Sequence, residues 1–440
     1  MTSAEILSLI GVIVALGGLA FFVLKGVNNY LMAFIATVLI AITSGLNIYE
    51  TLVKTYMGGF TGYIAQWFIV FYAGALFGKL MADCGAAETV AHGLVKLVGK
   101  KLAPCAPIIA GAVMGYGGIT TFVIGFCVVP IAVQIFRDAN LPRRLIPGAI
   151  FIGPTIAMVA PGSPQIANIV CSTACNTNYM GGGLAGWIAD LVFGLGTVCV
   201  LFLWMIKRAV AKGEYFIPKD VDNVTSDSDS RERPGMLTSI LPLLITVVAI
   251  NIPNGQGGNL IPTEYGLLLG CLSIILLNLK FFDKKAIVPA LGDGFKTAIT
   301  IIGNTAAIVG IGAVVKATPM FGPVVERLTS GTGNPYVGGA VSIALLAGIL
   351  GSASGSTSLG APLLAPAFIA QGADPGMLAR VMCMASSTLD SLPHSGAVVS
   401  TIDAMCHEEY KGSYGCVFML TVVGTTVMTL SAIIMAMLFY

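Results

Sequence analysis

One apolar run of the chain is interrupted by Met382-Cys-Met-Ala-Ser-Ser-Thr-Leu-Asp-Ser-Leu-Pro-His394. Proline has no backbone N–H group and cannot continue a helix. An ionised Asp at the centre of a membrane helix costs about 2.5–3.5 kcal/mol, so the carboxyl group of Asp390 should be paired, protonated or bound to a cation. The whole run, residues 376–405, is therefore predicted to be a helix that is broken inside a membrane.

The composition of the chain also indicates an integral membrane protein. Of its 440 residues, 56% are hydrophobic and 10% are charged, and the mean hydropathy is +0.89, whereas a soluble domain has about 25% charged residues. The net charge of +2, with no basic run, excludes a nucleic-acid partner. The ten cysteines lie almost entirely in apolar runs without zinc-type spacing to histidine, so neither a metal nor another cofactor is expected.

Apolar windows and longer interrupted runs predict the membrane crossings. Windows near 20 residues, each predicted to span once, are 6–24, 30–49, 63–81, 183–206, 236–252, 265–279, 297–315 and 415–439. Runs 105–136 and 336–369 have polar centres and are predicted to be re-entrant hairpins. Runs 145–175 and 376–405 contain proline clusters and are predicted to be broken helices that cross once.

The distribution of positive charge predicts the orientation. With these crossings, all Lys and Arg residues except Lys54, Lys316, Arg327 and Arg380 fall on one side of the membrane. The positive-inside rule makes that side cytoplasmic and places both termini in the periplasm. Residues 1–24 lack a basic n-region and a cleavage site, so they are predicted to form the first spanning helix.

Two similar halves are predicted, at residues 1–206 and 236–440. Each half has about five crossings, and an odd number inserts a second copy upside down. Landmarks occur in the same order in both: Gly59-Phe60 and Gly294-Phe295, Gly117-Gly-Ile-Thr-Thr121 and Ser354-Gly-Ser-Thr-Ser358, Pro161-Gly-Ser163 and Pro393-His-Ser395. Residues 207–235 carry both charges and are predicted to be a cytoplasmic linker. The predicted fold class is an all-α polytopic membrane protein of two inverted repeats, each with one hairpin, giving about 10 crossings and two hairpins.

The hairpin tips and broken helices are expected to meet near the bilayer midplane and to form a pocket for a small organic acid. Half-helix N-termini attract anions. The polar and glycine residues predicted to bind the substrate are Gly118, Thr120, Thr121, Ser163, Gln165, Asn168, Ser354, Gly355, Ser356, Thr357, Ser387, His394 and Ser395. The alternative interpretation is that these Ser and Thr residues only cap helices or pack between them.

Asp390 is the predicted proton-coupling residue. Desolvation and an adjacent anion both favour the protonated form of a carboxyl group, so binding of an anionic substrate would promote proton uptake. His394 follows four residues later and is predicted to share the proton or to donate a hydrogen bond to the substrate. A structural histidine, satisfied by a carbonyl group, is the alternative interpretation.

The C-terminal signature resembles a known family. Leu389-Asp-Ser-Leu-Pro-His-Ser-Gly-Ala-Val398, followed by His407-Glu-Glu-Tyr-Lys-Gly-Ser-Tyr414, is similar to the gluconate permease (GntP) family of proton symporters. Gly351-Ser-Ala-Ser-Gly355 is similar to the second hairpin of that family. Within the C-terminal signature, members of the family often have Asn where this chain has Ser395. The resemblance implies uptake of hydroxycarboxylates, such as gluconate or 3-hydroxybutyrate, across a bacterial inner membrane. It also implies a homodimer and an elevator mechanism.

Three other functions are weighed. A sodium-coupled carboxylate transporter is the main alternative, because hydroxyl, amide and carbonyl groups also coordinate sodium. An intramembrane enzyme is disfavoured, since no paired aspartate, His-Glu-x-x-His or Gly-x-Ser-x-Gly motif is present. A channel would need no inverted repeats, and would give flux without accumulation.

Overall fold

The computed structural model describes residues 2–87, 89, 90, 93, 96, 99, 102–116, 121–163, 165–219, 232–250, 261–282, 287–330 and 333–440. These residues form helices and connecting turns, and none of them is in a β-strand, which confirms the all-α class. Gly118 and Thr120, predicted at the tip of the first hairpin, lie outside the described residues. The same is true of residues 220–231 of the predicted linker.

The helices considered below are named in chain order. They are α1 (Ser3–Leu24), α2 (Asn29–Thr43), α3 (Ile48–Asp83), α4 (Ala106–Tyr116), α5 (Thr121–Asp138), α6 (Ile146–Val159), α7 (Ile166–Ala174), α8 (Gly183–Ala211), α9 (Met236–Ile250), α10 (Thr263–Asn278), α11 (Ile287–Lys316), α12 (Phe321–Ser330), α13 (Pro335–Leu350), α14 (Ala353–Ala370), α15 (Pro375–Ser386), α16 (Gly396–Met405) and α17 (Tyr410–Phe439). Helices α3, α8, α16 and α17 each contain a π-helical segment.

Six described helical segments are long and apolar enough to cross a membrane, namely those of α1, α3, α8, α10, α11 and α17. The predicted window 30–49 differs in detail from the structure. Helix α2 ends at Thr43, and Gly45 then adopts a left-handed φ of +65°. The Asn47 side chain then caps the start of α3, because it accepts a hydrogen bond from the Glu50 N–H group at 3.0 Å. Capping chemistry, which hydropathy does not record, therefore sets this boundary.

Both long runs with polar centres contain two packed helices. In the first half α4 packs against α5, and in the second half α13 packs against α14. Helix α13 ends at Leu350, and the next residue, Gly351, has a φ of +59° that favours glycine. The Ser352 hydroxyl then caps α14 by accepting a hydrogen bond from the Gly355 N–H group at 3.1 Å. That these helix pairs are re-entrant stays a prediction.

Both proline-containing runs are interrupted. Helix α6 ends at Val159 and α7 begins at Ile166, so residues 160–165 are called the first break. Helix α15 ends at Ser386 and α16 begins at Gly396, so residues 387–395 are called the second break. Each break contains the proline that the sequence placed there, Pro161 or Pro393.

Helices from the two halves interlock around these breaks. Helix α3 packs along α11, and α7 of the first half packs against α14 and α15 of the second. Corresponding helices also pack alike, since α4 contacts α6 as α13 contacts α15. The ten cysteines are free thiols, all of them buried except Cys199, which is half-buried. The division into inverted repeats stays a prediction.

Candidate functional site

The second break is held by hydroxyl groups from α17. A non-helical segment leaves backbone carbonyl groups without helical partners, and these must be satisfied inside a membrane. Three hydroxyls donate to carbonyl oxygens of the break: Tyr410 to Pro393 at 2.8 Å, Tyr414 to Ser391 at 3.2 Å, and Thr425 to Ser387 at 3.0 Å. The side chains of Ser391 and Thr421 also share a hydrogen bond of 2.5 Å. The break is thus a supported structure rather than a loose loop.

The turn between α13 and α14 touches the second break. The Ser395 hydroxyl donates a hydrogen bond to the Gly351 carbonyl oxygen at 3.0 Å. A Cβ atom on Gly351 would lie 3.3 Å from the Ser395 Cα and 3.4 Å from the His394 ring, so the two segments are in close contact. His394 also interacts with the backbone of Gly348, near the end of α13. The structure therefore places the turn between α13 and α14 in contact with the second break.

Asp390 and His394 each present a buried polar atom without a hydrogen-bond partner. Asp390 is 7% exposed and His394 is 3% exposed. Neither Asp390 Oδ1 nor His394 Nε2 has a partner in the described structure, although the Asp390 carboxyl group interacts with the Ser391 side chain. Leaving such an atom unpaired costs about 1–3 kcal/mol, and more for a charged group. Buried polar atoms are usually paired, so two unpaired atoms in one break mark it as the candidate site.

The other hydroxyl groups predicted in the second half bond within their own helices. Ser356 and Thr357 donate to the Ala353 carbonyl oxygen at 2.8 and 3.0 Å. Ser387 donates to Met384 at 2.7 Å. These bonds match the alternative interpretation of helix capping and packing, but each hydroxyl oxygen can still accept a hydrogen bond. Ser354 and Gly355 are half-buried at the start of α14, and substrate binding by this group stays a prediction.

The first break is held by amide side chains. Gln165 Nε2 donates to the Gly115 carbonyl oxygen at 3.0 Å, which joins the break to the end of α4. Asn168 Nδ2 donates to Ser163 at 2.8 Å and to Tyr179 at 3.1 Å. Ser163 is fully buried, and its hydroxyl has no partner in the described structure. Two of the predicted residues thus support the break, and substrate binding by Ser163 stays a prediction.

Thr121, the remaining predicted residue, is half-buried and begins α5. Gly118 and Thr120, predicted to lie beside it at the tip of the first hairpin, are outside the described residues. Of the three residues predicted at that tip, the structure therefore describes only Thr121.

Arg380 was not predicted to be near either break. Its charge had been assigned to the poorly charged side of the membrane, but the side chain is fully buried within α15. The guanidinium donates to the Tyr179 and Gly181 carbonyl oxygens, at 3.0 Å each, and to the Val159 carbonyl oxygen at the end of α6. Tyr179 also accepts the Gly162 N–H group at 2.7 Å. A residue of the second half thus fastens the first break.

Asp190 was also missed. It is 1% exposed, its Oδ1 atom has no hydrogen-bond partner in the described structure, and its charge attracts Arg380. Asp390 had been interpreted as the one acidic residue well inside an apolar run, which is wrong, because Asp190 lies inside the predicted window 183–206. The sequence therefore contained the evidence for this residue. The burial of Arg380 depends on glycines that leave room for its stem, since a Cβ on Gly182 would lie 2.8 Å from the Arg380 Cβ.

Comparison with known proteins identifies the family. The family model described as GntP family permease matches residues 7–437. The chain belongs to the GntP permease family. The resemblance found in the C-terminal signature is thereby confirmed, and this GntP permease is a membrane transport protein rather than an enzyme.

Several relatives of this GntP permease align over most of their length. It is 30% identical to the uncharacterized transporter YxjC of Bacillus subtilis (strain 168), over 95% of this chain and 97% of that protein. It is 23% identical to a high-affinity gluconate transporter of Escherichia coli (strain K12), over 88% of this chain and 89% of that protein. It is 26% identical to the gluconate permease of Bacillus subtilis (strain 168), over 80% and 84% respectively.

Two solved structures are distantly similar to this GntP permease. The YdaH transporter of Alcanivorax borkumensis aligns with a TM-score of 0.39 and 15% identity, over 88% of both chains. MtrF of Neisseria gonorrhoeae aligns with a TM-score of 0.37 and 14% identity, over 89% of this chain and 84% of that chain. Similarity at this level does not define the arrangement of the two breaks, which rests on this chain's own contacts.

Proposed function

We propose that this permease carries a small hydroxycarboxylate, gluconate among the candidates, together with a proton into a bacterial cell. The observation that carries the proposal is the pair of buried, unpartnered atoms in the second break, Asp390 Oδ1 and His394 Nε2. The names of two relatives, a high-affinity gluconate transporter and a gluconate permease, support the substrate class.

The substrate carboxylate would be held by backbone N–H groups and hydroxyls. The first N–H groups of a helix have no partner within that helix, and the partial positive charge there attracts an anion by about 0.3–2 kcal/mol. Helix α14 presents such an end beside the second break at Ser354, while the Gly355 N–H group already donates to the Ser352 hydroxyl. The Ser163 hydroxyl would donate to or accept from a hydroxyl group of the substrate, and the Ser356 hydroxyl, which already donates to Ala353, would accept from one.

Asp390 would couple the proton to the substrate. An anion bound next to a desolvated carboxylate is repelled by it, and protonation of Asp390 removes the repulsion. The substrate therefore raises the affinity for the proton, and the proton raises the affinity for the substrate by the same factor. The occupied site then carries one negative charge less across the membrane interior, which lowers the cost of moving it.

We further propose two inverted repeats that work by an elevator mechanism. In each half, a side chain of the break bonds to the carbonyl oxygen at or near the end of the preceding helix of the packed pair: Gln165 to Gly115, and Ser395 to Gly351. This correspondence supports an internal repeat. The hairpins and broken helices would form the moving part, while α3, α11 and the other long spans would form a scaffold that dimerises, with periplasmic termini and a cytoplasmic linker.

Uptake by reconstituted protein tests the proposal. Proteoliposomes with an acidic exterior, in sodium-free buffer, should accumulate radiolabelled gluconate above its external concentration, and a protonophore should abolish the accumulation. A strict requirement for sodium would overturn proton coupling in favour of a sodium-coupled carboxylate transporter. Equilibration without accumulation would overturn symport and indicate a channel.

A further inference from the structure

A cavity of about 240 Å³ lies between α3, α5, α11 and α16, apart from the site described above. Pockets for small molecules begin at about 300 Å³, so a small organic acid is near the upper limit of what this cavity can hold. Part of its wall is apolar, with Phe126 and Val129 of α5 and Met405 of α16.

The cavity shares two helices with the proposed substrate site. Two of its walls are helices that start there, since α5 begins at Thr121 and α16 directly follows Ser395. With a rise of about 1.5 Å per residue, Phe126 lies only about 8 Å along the helix from Thr121. A Cβ on Gly125 would lie 2.6 Å from the sulfur of Met405, which lines the cavity, so α5 and α16 touch at its wall.

Three cationic side chains also line the cavity, two of them in ion pairs. Lys79, Arg137 and Arg143 line it, and of the described residues no carboxylate does. Neighbouring groups orient these cations: Lys79 pairs with Asp83 at 2.9 Å, Arg137 lies over the Phe216 ring at 5.7 Å, and Arg143 pairs with Glu408. Cations that line a cleft with low-dielectric walls raise the local concentration of anions.

We propose that this cavity is a second, low-affinity site for the carboxylate substrate, occupied as the substrate leaves toward the cytoplasm. The inference rests on the proposed function and orientation, which place Lys79, Arg137 and Arg143 at the cytoplasmic edge. The carboxylate would contact the cations, and the carbon chain would lie along the apolar wall. Inorganic phosphate has the same charge chemistry but lacks the carbon chain, so the two anions can be distinguished.

Thiol labelling from the cytoplasmic side tests the cavity. In inside-out vesicles, Val133→Cys in the wall should react with a membrane-impermeant thiosulfonate, whereas Ala132→Cys, on a fully buried neighbour outside the lining, should not. Wild-type protein gives the blank. Gluconate at about ten times its binding constant should slow the labelling of Val133→Cys about tenfold. Absence of labelling, or protection by phosphate but not by gluconate, would overturn the proposal.

A charge substitution gives a second measurement. Arg137→Gln should raise the half-saturation constant for gluconate on the cytoplasmic side about tenfold and leave the external constant unchanged. Lys296→Gln is the matched control, because Lys296 is 83% exposed, pairs with Asp293 and does not line the cavity. An unchanged half-saturation constant on the cytoplasmic side in Arg137→Gln would contradict the proposal.

Two results separate this proposal from the proposed function. Failure of wild-type uptake would refute the proposed function, whereas uptake together with labelling that gluconate does not slow would refute only the second site.

Discussion

The Ser395 hydroxyl donates a hydrogen bond to the Gly351 carbonyl oxygen at 3.0 Å, and this bond joins the turn between α13 and α14 to the second break. The partners are 44 residues apart, and both are buried. Gln165 and Gly115 make the corresponding contact in the first half, also at 3.0 Å. Each break is thereby held against the helix pair of its own half, which keeps the polar groups of the proposed site in register.

Ser395→Ala should weaken substrate binding. The Gly351 carbonyl oxygen loses its buried donor, and a net loss of about 1 kcal/mol corresponds to a rise of about fivefold in the half-saturation constant for uptake. Ser431→Ala is the control, because the Ser431 hydroxyl donates only to Met428 of its own helix, outside both breaks. If the two variants had equal uptake kinetics, the hydrogen bond of Ser395 would not contribute to substrate binding.

Asp390→Asn should abolish proton-driven accumulation while leaving some exchange of internal for external substrate. The amide has nearly the same shape but cannot take up a proton, so binding survives without coupling. Uptake and counterflow measured in the same proteoliposomes separate the two activities. Concentrative uptake by the variant would exclude Asp390 as the proton site.

His394→Gln tests whether His394 takes part in proton coupling. If the histidine only fills space and bonds to the Gly348 backbone, the glutamine variant should keep the same dependence of uptake on external pH as the wild type. If it shares the proton with Asp390, the pH dependence should flatten and accumulation should fall at least tenfold. A flattened profile is the expected result, because Nε2 is buried and unpartnered.

Arg380→Gln should destabilise the protein strongly. Removing one partner of a buried charge pair costs about 3–5 kcal/mol, and here three carbonyl groups lose their donor while Asp190 loses the opposite charge. Adding Asp190→Asn should restore part of the loss, because the carboxylate is then no longer uncompensated. Thermal unfolding in detergent measures both variants. A melting temperature equal to wild type in Arg380→Gln would contradict the proposed fastening of the first break.

Oxidative cross-linking should join the two halves. The thiols of Cys171 in α7 and Cys383 in α15 interact with each other where the two helices pack, so copper phenanthroline should link them. With a protease site inserted within residues 220–231, the halves should migrate together on a non-reducing gel after cleavage and separate under reduction. Cys383→Ser should prevent the link. The Cys105 and Cys199 thiols, which also interact with each other, lie in the same half and serve as an internal control.

Much of the helical organisation could be predicted, because it depends on local properties. An apolar window of near 20 residues is long enough to cross the hydrocarbon layer, and proline weakens a helix because it lacks a backbone N–H group. Proline alone does not fix an interruption, since the described helices α5, α6, α9 and α14 each contain an internal proline. Pro161 and Pro393 lie in the two segments where the chain leaves the helix. The misplaced end of α2 shows the limit of hydropathy, since Gly45 and Asn47 set that boundary by backbone conformation and capping.

The candidate site was predicted less completely. Asp390 and His394 were found because an acidic residue and a histidine are rare in an apolar run, and both prove to be buried in the second break. Asn168 and Gln165 were predicted as ligands, but their amide N–H groups support the first break. Arg380 could not be placed, because hydropathy treats a charge near a helix end as exposed and does not show that a distant turn supplies its acceptors.

The order of apolar windows, prolines and charges predicted, without any coordinates, a helical membrane protein with two interrupted helices, because each of those properties acts over a few neighbouring residues. The C-terminal signature added the resemblance to the permease family. The tertiary structure alone decided which groups meet, Ser395 with Gly351 and Arg380 with Val159, and which cations line one cavity. Such contacts join residues tens to hundreds of positions apart. They arise only when close packing of helices chooses one arrangement in which the buried polar groups of the breaks find their partners.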